Sequence, residues 1–367
     1  MNPLYTNFGR CQEQYGIHLD KGRRMRYNNV KKRERGRNVI FDLHCDTIWR
    51  MRAKRQEGLD VSLSDAECLG ITEKKLVEGH YSAQCFAMWV HARQGNPYAL
   101  ANEMIDLYER EIAACSSLAP AYTYADLLKN REKGKISSIL TMEDGAPIGE
   151  DLAHLDEFYA RGVRMICLLW NYRNQIGFPN FGRYFENGDP DRTCPNTADG
   201  LTEFGLALVR RMNELGVIVD VSHLSDAGFY DVIATSTKPI VASHSNARAL
   251  TPHVRNMTDP MLRRLAENGG VVGMNYAVSF LARDGAPGCE TVPRVIEHIR
   301  HIGALIGYDH IALGSDFDGT PPGQLLESAD GMPTLVRALE EEGFKETVIE
   351  KITEGNALRI FRENLRA

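Results

Sequence analysis

No stretch of this sequence approaches the ~18 consecutive apolar residues of a membrane span, and no apolar core follows the first charges of its N-terminus as a secretion signal requires. The C-terminal run from Ala357 to Ala367 is amphipathic and charged, unlike the hydrophobic tail of a lipid-anchor signal. Paired CxxC cysteines are missing as well. Cys11, Cys45, Cys68, Cys85, Cys115, Cys167, Cys194 and Cys289 are scattered singly in a chain too long to need disulfide staples, so reduced core thiols are expected. There is no internal repeat and no low-complexity tract. These absences lead us to expect a soluble, cytoplasmic protein without a membrane anchor.

What is present is an ordinary globular balance: 43% hydrophobic and 25% charged residues over 367 positions, enough to build a large core and to exclude disorder as the main state. The length fits two average domains or one α/β barrel of about 250 residues or more. The formal charge of −6 is unevenly spread. Residues 1–38 carry ten basic side chains against three acidic ones, which leaves the rest of the chain at −13. Residues 1–37 are therefore expected to be a basic extension, solvated or poorly ordered, and the acidic body argues against nucleic acid as a partner.

Short apolar runs alternate with longer amphipathic stretches, the pattern of parallel α/β architecture. Eight runs stand out: Asn38 to Leu43, Ser82 to Val90, Ile136 to Met142, Val163 to Leu169, Val217 to Val221, Pro239 to Ser243, Gly270 to Met274 and His310 to Gly314. Between them, Leu201 to Leu215 repeats apolar residues at helical spacing and is stopped by Gly216, and Thr258-Asp259-Pro260 opens a helix from Met261 to Glu267. Strands that are apolar throughout are buried on both faces, so the expected fold is a single (β/α)8 TIM barrel over residues 38–367. The loops from Phe178 to Gly200 and Gly319 to Gln324 then leave on the C-terminal face of that barrel, where substrate-contacting loops belong.

Ligand-type residues fall at the C-terminal ends of those runs. The first ends in Asp42-Leu43-His44-Cys45-Asp46, where strand alternation would turn His44 and Asp46 to one face. The third ends in Glu143-Asp144, the fifth in Asp220-Val221-Ser222-His223, the sixth in Ser243-His244-Ser245-Asn246, and the eighth in Gly314-Ser315-Asp316-Phe317-Asp318. Any one of these has an ordinary explanation as a turn, a cap or a hydrogen-bonded histidine. Around one barrel mouth they describe a divalent metal site, binuclear in character, because imidazole nitrogen and carboxylate oxygen suit Zn²⁺ and a glutamate has two oxygens with which to bridge ions. A hydroxide shared by two metals supplies a nucleophile at neutral pH, and Asp316 is the best candidate to carry its proton to the leaving group.

These motifs, with Arg255-Asn256 behind the sixth run, resemble the membrane (renal-type) dipeptidases, peptidase family M19 of the amidohydrolase-like barrels, over roughly residues 38 to 365. The resemblance implies a binuclear zinc dipeptidase, with Co²⁺ or Mn²⁺ as alternative metals, acting on a dipeptide or small amide as a homodimer. It implies that His44 and Asp46 hold one zinc, Glu143 bridges, His223 and His244 hold the second, and Asp316 moves the proton. Arg255 would pair with the free carboxylate of the dipeptide, a task suited to a planar two-pronged guanidinium. Trp170, Asn171 and Tyr276 complete the expected substrate contacts.

Two departures stand beside the resemblance. Where mammalian members carry a substrate-contacting histidine after the fourth strand, this sequence has Trp170, followed by Asn171 and Tyr172, and indole offers only one N–H donor and no acceptor. The sequence also shows neither a signal peptide nor an anchor tail. The alternative reading is another amidohydrolase-type reaction, deacylation or lactone opening, on the same metal centre.

Overall fold

The structure, a computed structural model, describes residues 39–93, 95–282, 291–320 and 326–366. The basic extension expected over residues 1–37, and Pro321 to Gln324 of the loop after the last apolar run, lie outside the described residues. Parallel strands form one nine-stranded sheet: β1 Ile40–Asp42, β2 Tyr81–Trp89, β3 Leu118–Pro120, β4 Ile136–Glu143, β5 Val163–Cys167, β6 Ile218–Asp220, β7 Val241–Ser245, β8 Val271–Met274 and β9 Ile311–Leu313. The order runs β2-β1-β9-β8-β7-β6-β5-β4, and β4 returns to β2 over the register Ala83↔Ser137 to Trp89↔Glu143. This closes the eight-stranded (β/α)8 barrel that the apolar runs predict.

The extra strand, β3, has no counterpart among those runs. It pairs with Ile136 to Ser138 of β4, while β5 takes Leu140 to Glu143. Because β2 already occupies one edge of β4 from Ser137 to Glu143, β3 and β5 must share the other edge, β3 below and β5 above. Three residues ending in Pro120, which has no N–H to give a ladder, leave too little apolar signal to be read as a strand.

Strand alternation divides the core into two shells. Phe41, Cys85, Ile139, Met165, Ile218, Val241, Val271 and Ala312, one from each barrel strand, fill the interior, whereas Ile40, Phe86, Leu140, Ile166, Val219, Ala242, Val272 and Ile311 pack outward under the helices. The floor is sealed by the helix Asn356–Asn364. It buries Ala357, Ile360 and Phe361, and the Phe361 ring lies 5.0 Å from that of Phe41. The same helix ties itself to strand starts: Asn356 Nδ2 donates to Ile311 O, Asn364 Nδ2 to Pro239 O, and Arg359 Nη1 to Gly269 O. That helix covers the N-terminal ends of the strands, opposite the ends that carry the ligand-type residues.

The amphipathic stretches are helices with the expected punctuation. Thr202 caps Glu203–Leu215 and Gly216 ends it at φ +81°, while Thr258 caps Asp259–Glu267. Four of the six cysteines among the described residues are buried, and all six are free thiols. No helix among the described residues is long and apolar enough to cross a membrane.

One buried side chain clamps the loops after β7 and β8 together. His298, on the helix Thr291–Ile306, accepts the N–H of Ala247 at Nδ1 (3.1 Å) and donates from Nε2 to Leu281 O (3.2 Å). Burial holds it neutral, with its pKa pulled down to about 4. Between that value and the ordinary ~6.5 the unfolded chain takes up a proton that the fold refuses. Stability present above pH ~6.5 is therefore lost as pH falls towards 4, by roughly 3 kcal/mol for this group. Replacing His298 with Leu is expected to lower stability at pH 7 by about 1–3 kcal/mol, by stranding the two backbone groups, and to flatten the acid slope. Urea melts of both proteins at several pH values read both effects.

Candidate active site

The site begins where the strands stop. The regular strand β1 ends at Asp42, but parallel pairing continues beyond it, with Cys45 bridged to Phe317 and its carbonyl accepting the N–H of Ala87, before the chain enters the helix Thr47–Gln56 at Asp46. His44 and Asp46, on either side of Cys45, come together there, His44 Nε2 lying 3.6 Å from Asp46 Oδ2. Asp42 holds this segment from below: its Oδ1 accepts the N–H of His44 (3.1 Å) and of Ser315 (2.9 Å), which locks the end of β1 to the end of β9.

Asp220 repeats that device across the barrel. Its Oδ1 accepts the N–H groups of Ser222 and Ser243, both at 2.9 Å, and its Oδ2 takes the hydroxyl of Ser243. With its proton given to Asp220, Ser243 Oγ is left to accept from His244 Nδ1, 2.7 Å away. The Nδ1 of His223 faces the amide oxygen of Asn171 at 2.8 Å. An amide oxygen only accepts, so this nitrogen also carries the proton. Both imidazoles consequently turn a bare Nε2 inward, and these two lone pairs face each other at 3.1 Å. That arrangement is repulsive unless a cation is shared between them. Burial and nearby positive charges, including Arg255, keep both histidines well below their ordinary pKa, hence neutral.

Glu143, the last residue of β4, reaches both halves of this cavity. Its Oε1 is 3.0 Å from His223 Nε2 and 3.6 Å from His244 Nε2, and its Oε2 is 3.5 Å from His44 Nε2. Asp316 closes the ring, with Oδ1 3.9 Å from His44 Nε2 and Oδ2 accepting from Asn275 Nδ2 at 2.8 Å. Two groups of buried ligand-type side chains result, His44 with Glu143 and His244, and His44 with Asp46 and Asp316. Burial together with the charge of Asp46 pushes Glu143 well above the carboxylate range and Asp316 up to about 6. Burial disfavours a charged His44, but Asp46 and Glu143 override it and raise its pKa well above the ordinary value.

Several buried polar atoms here make no hydrogen bond among the described residues: His44 Nε2, Asp46 Oδ1 and Glu143 Oε2. Buried carboxylate oxygens without hydrogen bonds, packed around imidazole nitrogens, are the signature of a site built for cations. The space is kept open by Gly319, where a Cβ would sit 2.0 Å from Asp46 Oδ2 and 2.4 Å from Asp316 Oδ1. His223, Asp316, Asp144 and Asp318 all adopt left-handed backbone, with φ of 67°, 63°, 74° and 68°.

Arg255, on the loop after β7, is 4% exposed. Its Nη2 donates to His244 O (3.1 Å), while Nε and Nη1 have no partner among the described residues. Tyr276, just beyond β8, likewise has an unpartnered buried hydroxyl. Trp170, after β5, lies with its ring 6.3 Å from that of His223. Asn171, expected at the substrate, gives its amide oxygen to His223. Sequence reasoning assigned no role to Asn275, Asp220, Ser243 or Asp42. The latter three stand inside the quoted motifs, whereas Asn275 shows only as a polar residue after an apolar strand.

Comparison with known proteins fits this geometry. The family model for membrane dipeptidase (peptidase family M19) matches residues 32–367. The chain is 35% identical to the "uncharacterized protein in pqqA 5′ region" of Klebsiella pneumoniae, over 73% of this chain and 97% of that protein. It is 32% identical to the dipeptidase tcpJ of Claviceps purpurea, over 88% of this chain and 76% of that protein. Among solved structures it is similar to a metallo peptidase from Rhodobacter sphaeroides liganded with a phosphinate mimic of the dipeptide L-Ala-D-Ala. The TM-score is 0.79 at 29% identity, covering 89% of this chain and 99% of that one.

Proposed function

This chain belongs to the membrane dipeptidase family, peptidase family M19, and is a metallo-dipeptidase; on that premise we propose that its site is a binuclear zinc centre with His44 and Asp46 on one ion, His223 and His244 on the other, and Glu143 across both. The division of the two Glu143 oxygens between His44 and the His223–His244 pair supports the bridging role. Imidazole and carboxylate donors favour zinc, and Co²⁺ or Mn²⁺ share that preference. When bound, the ions supply an acidified water as nucleophile and positive charge at the scissile carbonyl.

The remaining work belongs to side chains. Arg255 binds the free carboxylate of the dipeptide through the N–H groups of its guanidinium that no protein acceptor takes. Asp316, anchored through Oδ2 by Asn275, keeps Oδ1 turned into the site, accepts the proton of the attacking water and returns it to the departing amine. Asn171 fixes the ring of His223, while Trp170 and Tyr276 line the substrate.

One observation carries this reading: a guanidinium that is buried beside the metal site with two nitrogens unpaired calls for an anionic ligand. A dipeptide carboxylate satisfies it, and a lactone offers none. The test is elemental analysis of carefully loaded protein followed by hydrolysis assays on dipeptides, N-acylated amino acids and lactones with the same sample. About two metals per chain and cleavage of dipeptides are expected. Fewer than about one metal per chain, or cleavage of only the other two classes, would overturn the proposal.

A further inference from the structure

Resting on the dipeptidase reading, we propose that the side chain of the substrate's N-terminal residue is received by an aromatic wall of Trp89, His91, Trp170 and Tyr172, so that dipeptides with a large apolar or aromatic first residue are preferred. The wall is continuous. Trp89 and Trp170 meet edge to face at 4.9 Å between ring centroids, His91 lies 5.5 Å from Trp170 and 5.1 Å from Tyr172, and Trp170 lies 5.6 Å from Tyr172. Through Trp170 it reaches the ring of His223, hence the edge of the metal site.

Barrel topology sets which end of the substrate meets it. In the closed order β2-β1-β9-β8-β7-β6-β5-β4, β2 and β7 stand diametrically opposite. Arg255 follows β7, while Trp89 ends β2 and His91 lies just beyond it. A dipeptide held by its carboxylate at Arg255, with its peptide carbonyl over Glu143 and the histidines, therefore extends its first residue across the mouth to the β2 side. Trp170 and Tyr172 come from the end of β5, midway between β2 and β7 in that order, and their ring contacts with Trp89 and His91 bring them to the β2 side.

The chemistry of the wall is neutral and flat. His91 Nδ1 accepts the N–H of Arg93 (3.1 Å), so its proton sits on Nε2, and burial lowers its pKa, leaving an uncharged ring. At the exposed rim the guanidinium of Arg93 lies over Tyr172, 4.0 Å from the ring centroid. Its charge opposes a cationic side chain arriving there. Aromatic and aliphatic first residues gain apolar contact on this surface, glycine gains none, and lysine meets a like charge.

The test uses full-length metal-loaded enzyme and Xaa–Ala dipeptides that differ only in the first residue: Phe, Leu, Gly and Lys. Wild type is expected to show kcat/KM about tenfold or more higher for Phe–Ala than for Gly–Ala, with Lys–Ala below both. In Trp170→Ala that Phe-to-Gly ratio is expected to fall towards one, with the change carried by KM. Tyr172→Leu, a milder change at the rim, is expected to lower the same ratio in part, and it serves if the tryptophan variant does not fold. Equal kcat/KM for Phe–Ala and Gly–Ala in wild type, or a ratio that neither substitution moves, would overturn the wall. Failure to cleave any of the four would instead bring down the dipeptidase reading beneath it.

Discussion

Replacing Asp316 by asparagine is expected to lower kcat by about 10²–10⁴-fold, the range that positioned acid–base catalysis contributes, with KM near that of wild type. The substitution keeps the size and shape of the side chain. Its amide oxygen still accepts from Asn275 Nδ2, a contact of 2.8 Å in the wild-type site, so the loop after β9 has no reason to move. What disappears is an oxygen that can take up a proton. Burial already raises the Asp316 carboxyl to about 6, with Asp46 adding to the rise and His44 and Arg255 opposing it, which brings it closer to neutrality than a solvated carboxylate. A group poised there serves both to accept a proton from water and to give it to an amine. Metal content measured on the same variant separates proton transfer from ligation. Asp316 also belongs to the His44–Asp46 ligand group, so a parallel loss of metal and activity would assign it to coordination rather than proton transfer.

For Arg255→Ala the expectation reverses: KM for dipeptides rises about 30-fold to several thousand-fold while kcat changes much less. Truncating one member of a buried charge pair costs about 2–5 kcal/mol, because the remaining charge is left in a dry site without its partner. Here that remaining charge is the substrate carboxylate. Arg255→Lys is expected to recover only part of the loss. An ammonium cannot offer two coplanar N–H groups, nor reproduce the guanidinium that lies 5.5 Å from the Phe280 ring while donating to His244 O. Steady-state kinetics with one good dipeptide decide the matter, and an unchanged KM would favour a substrate without a free carboxylate. The two substitutions thus separate the proton-transfer side of the site, at β9, from the binding side, after β7.

The positions of the candidate ligands were legible because a parallel barrel writes its site into a simple pattern. Each strand is apolar on both faces, so a polar residue at its end is conspicuous, and the fold gathers all such ends into one mouth. His44, Asp46, Glu143, His223, His244 and Asp316 could be read in that way, and they do meet. The supports of that site could not. Asp42 bridges to Ser315 across 273 residues of sequence, and Asp220 reaches Ser243 on the neighbouring strand. Such pairs become adjacent only when strands pair, the first of them only when β1 meets β9, and local periodicity carries no trace of that pairing. His44 and Asp46 lie beyond the regular part of β1, but the parallel pairing of Cys45 with Phe317 carries the strand direction past them. The strand β3 escaped because three residues ending in proline resemble a loop.

The left-handed backbone at Asp144, His223, Asp316 and Asp318 has a consequence for how the protein tolerates change. An L-residue held there costs about 1–2 kcal/mol, somewhat less for aspartate and histidine, which are among the side chains that accept this conformation best. Glycine would relieve that cost at every one of the four positions. At His223 and Asp316 that relief would come at the expense of turnover, whereas Asp144 and Asp318 offset the strain with hydrogen bonds to Ala146, Asn174, Thr47, Gly70 and Ile71 that glycine would lose. A library selected only for survival at high temperature would drift towards glycine at His223 and Asp316, and would return a sturdier protein that had lost its chemistry.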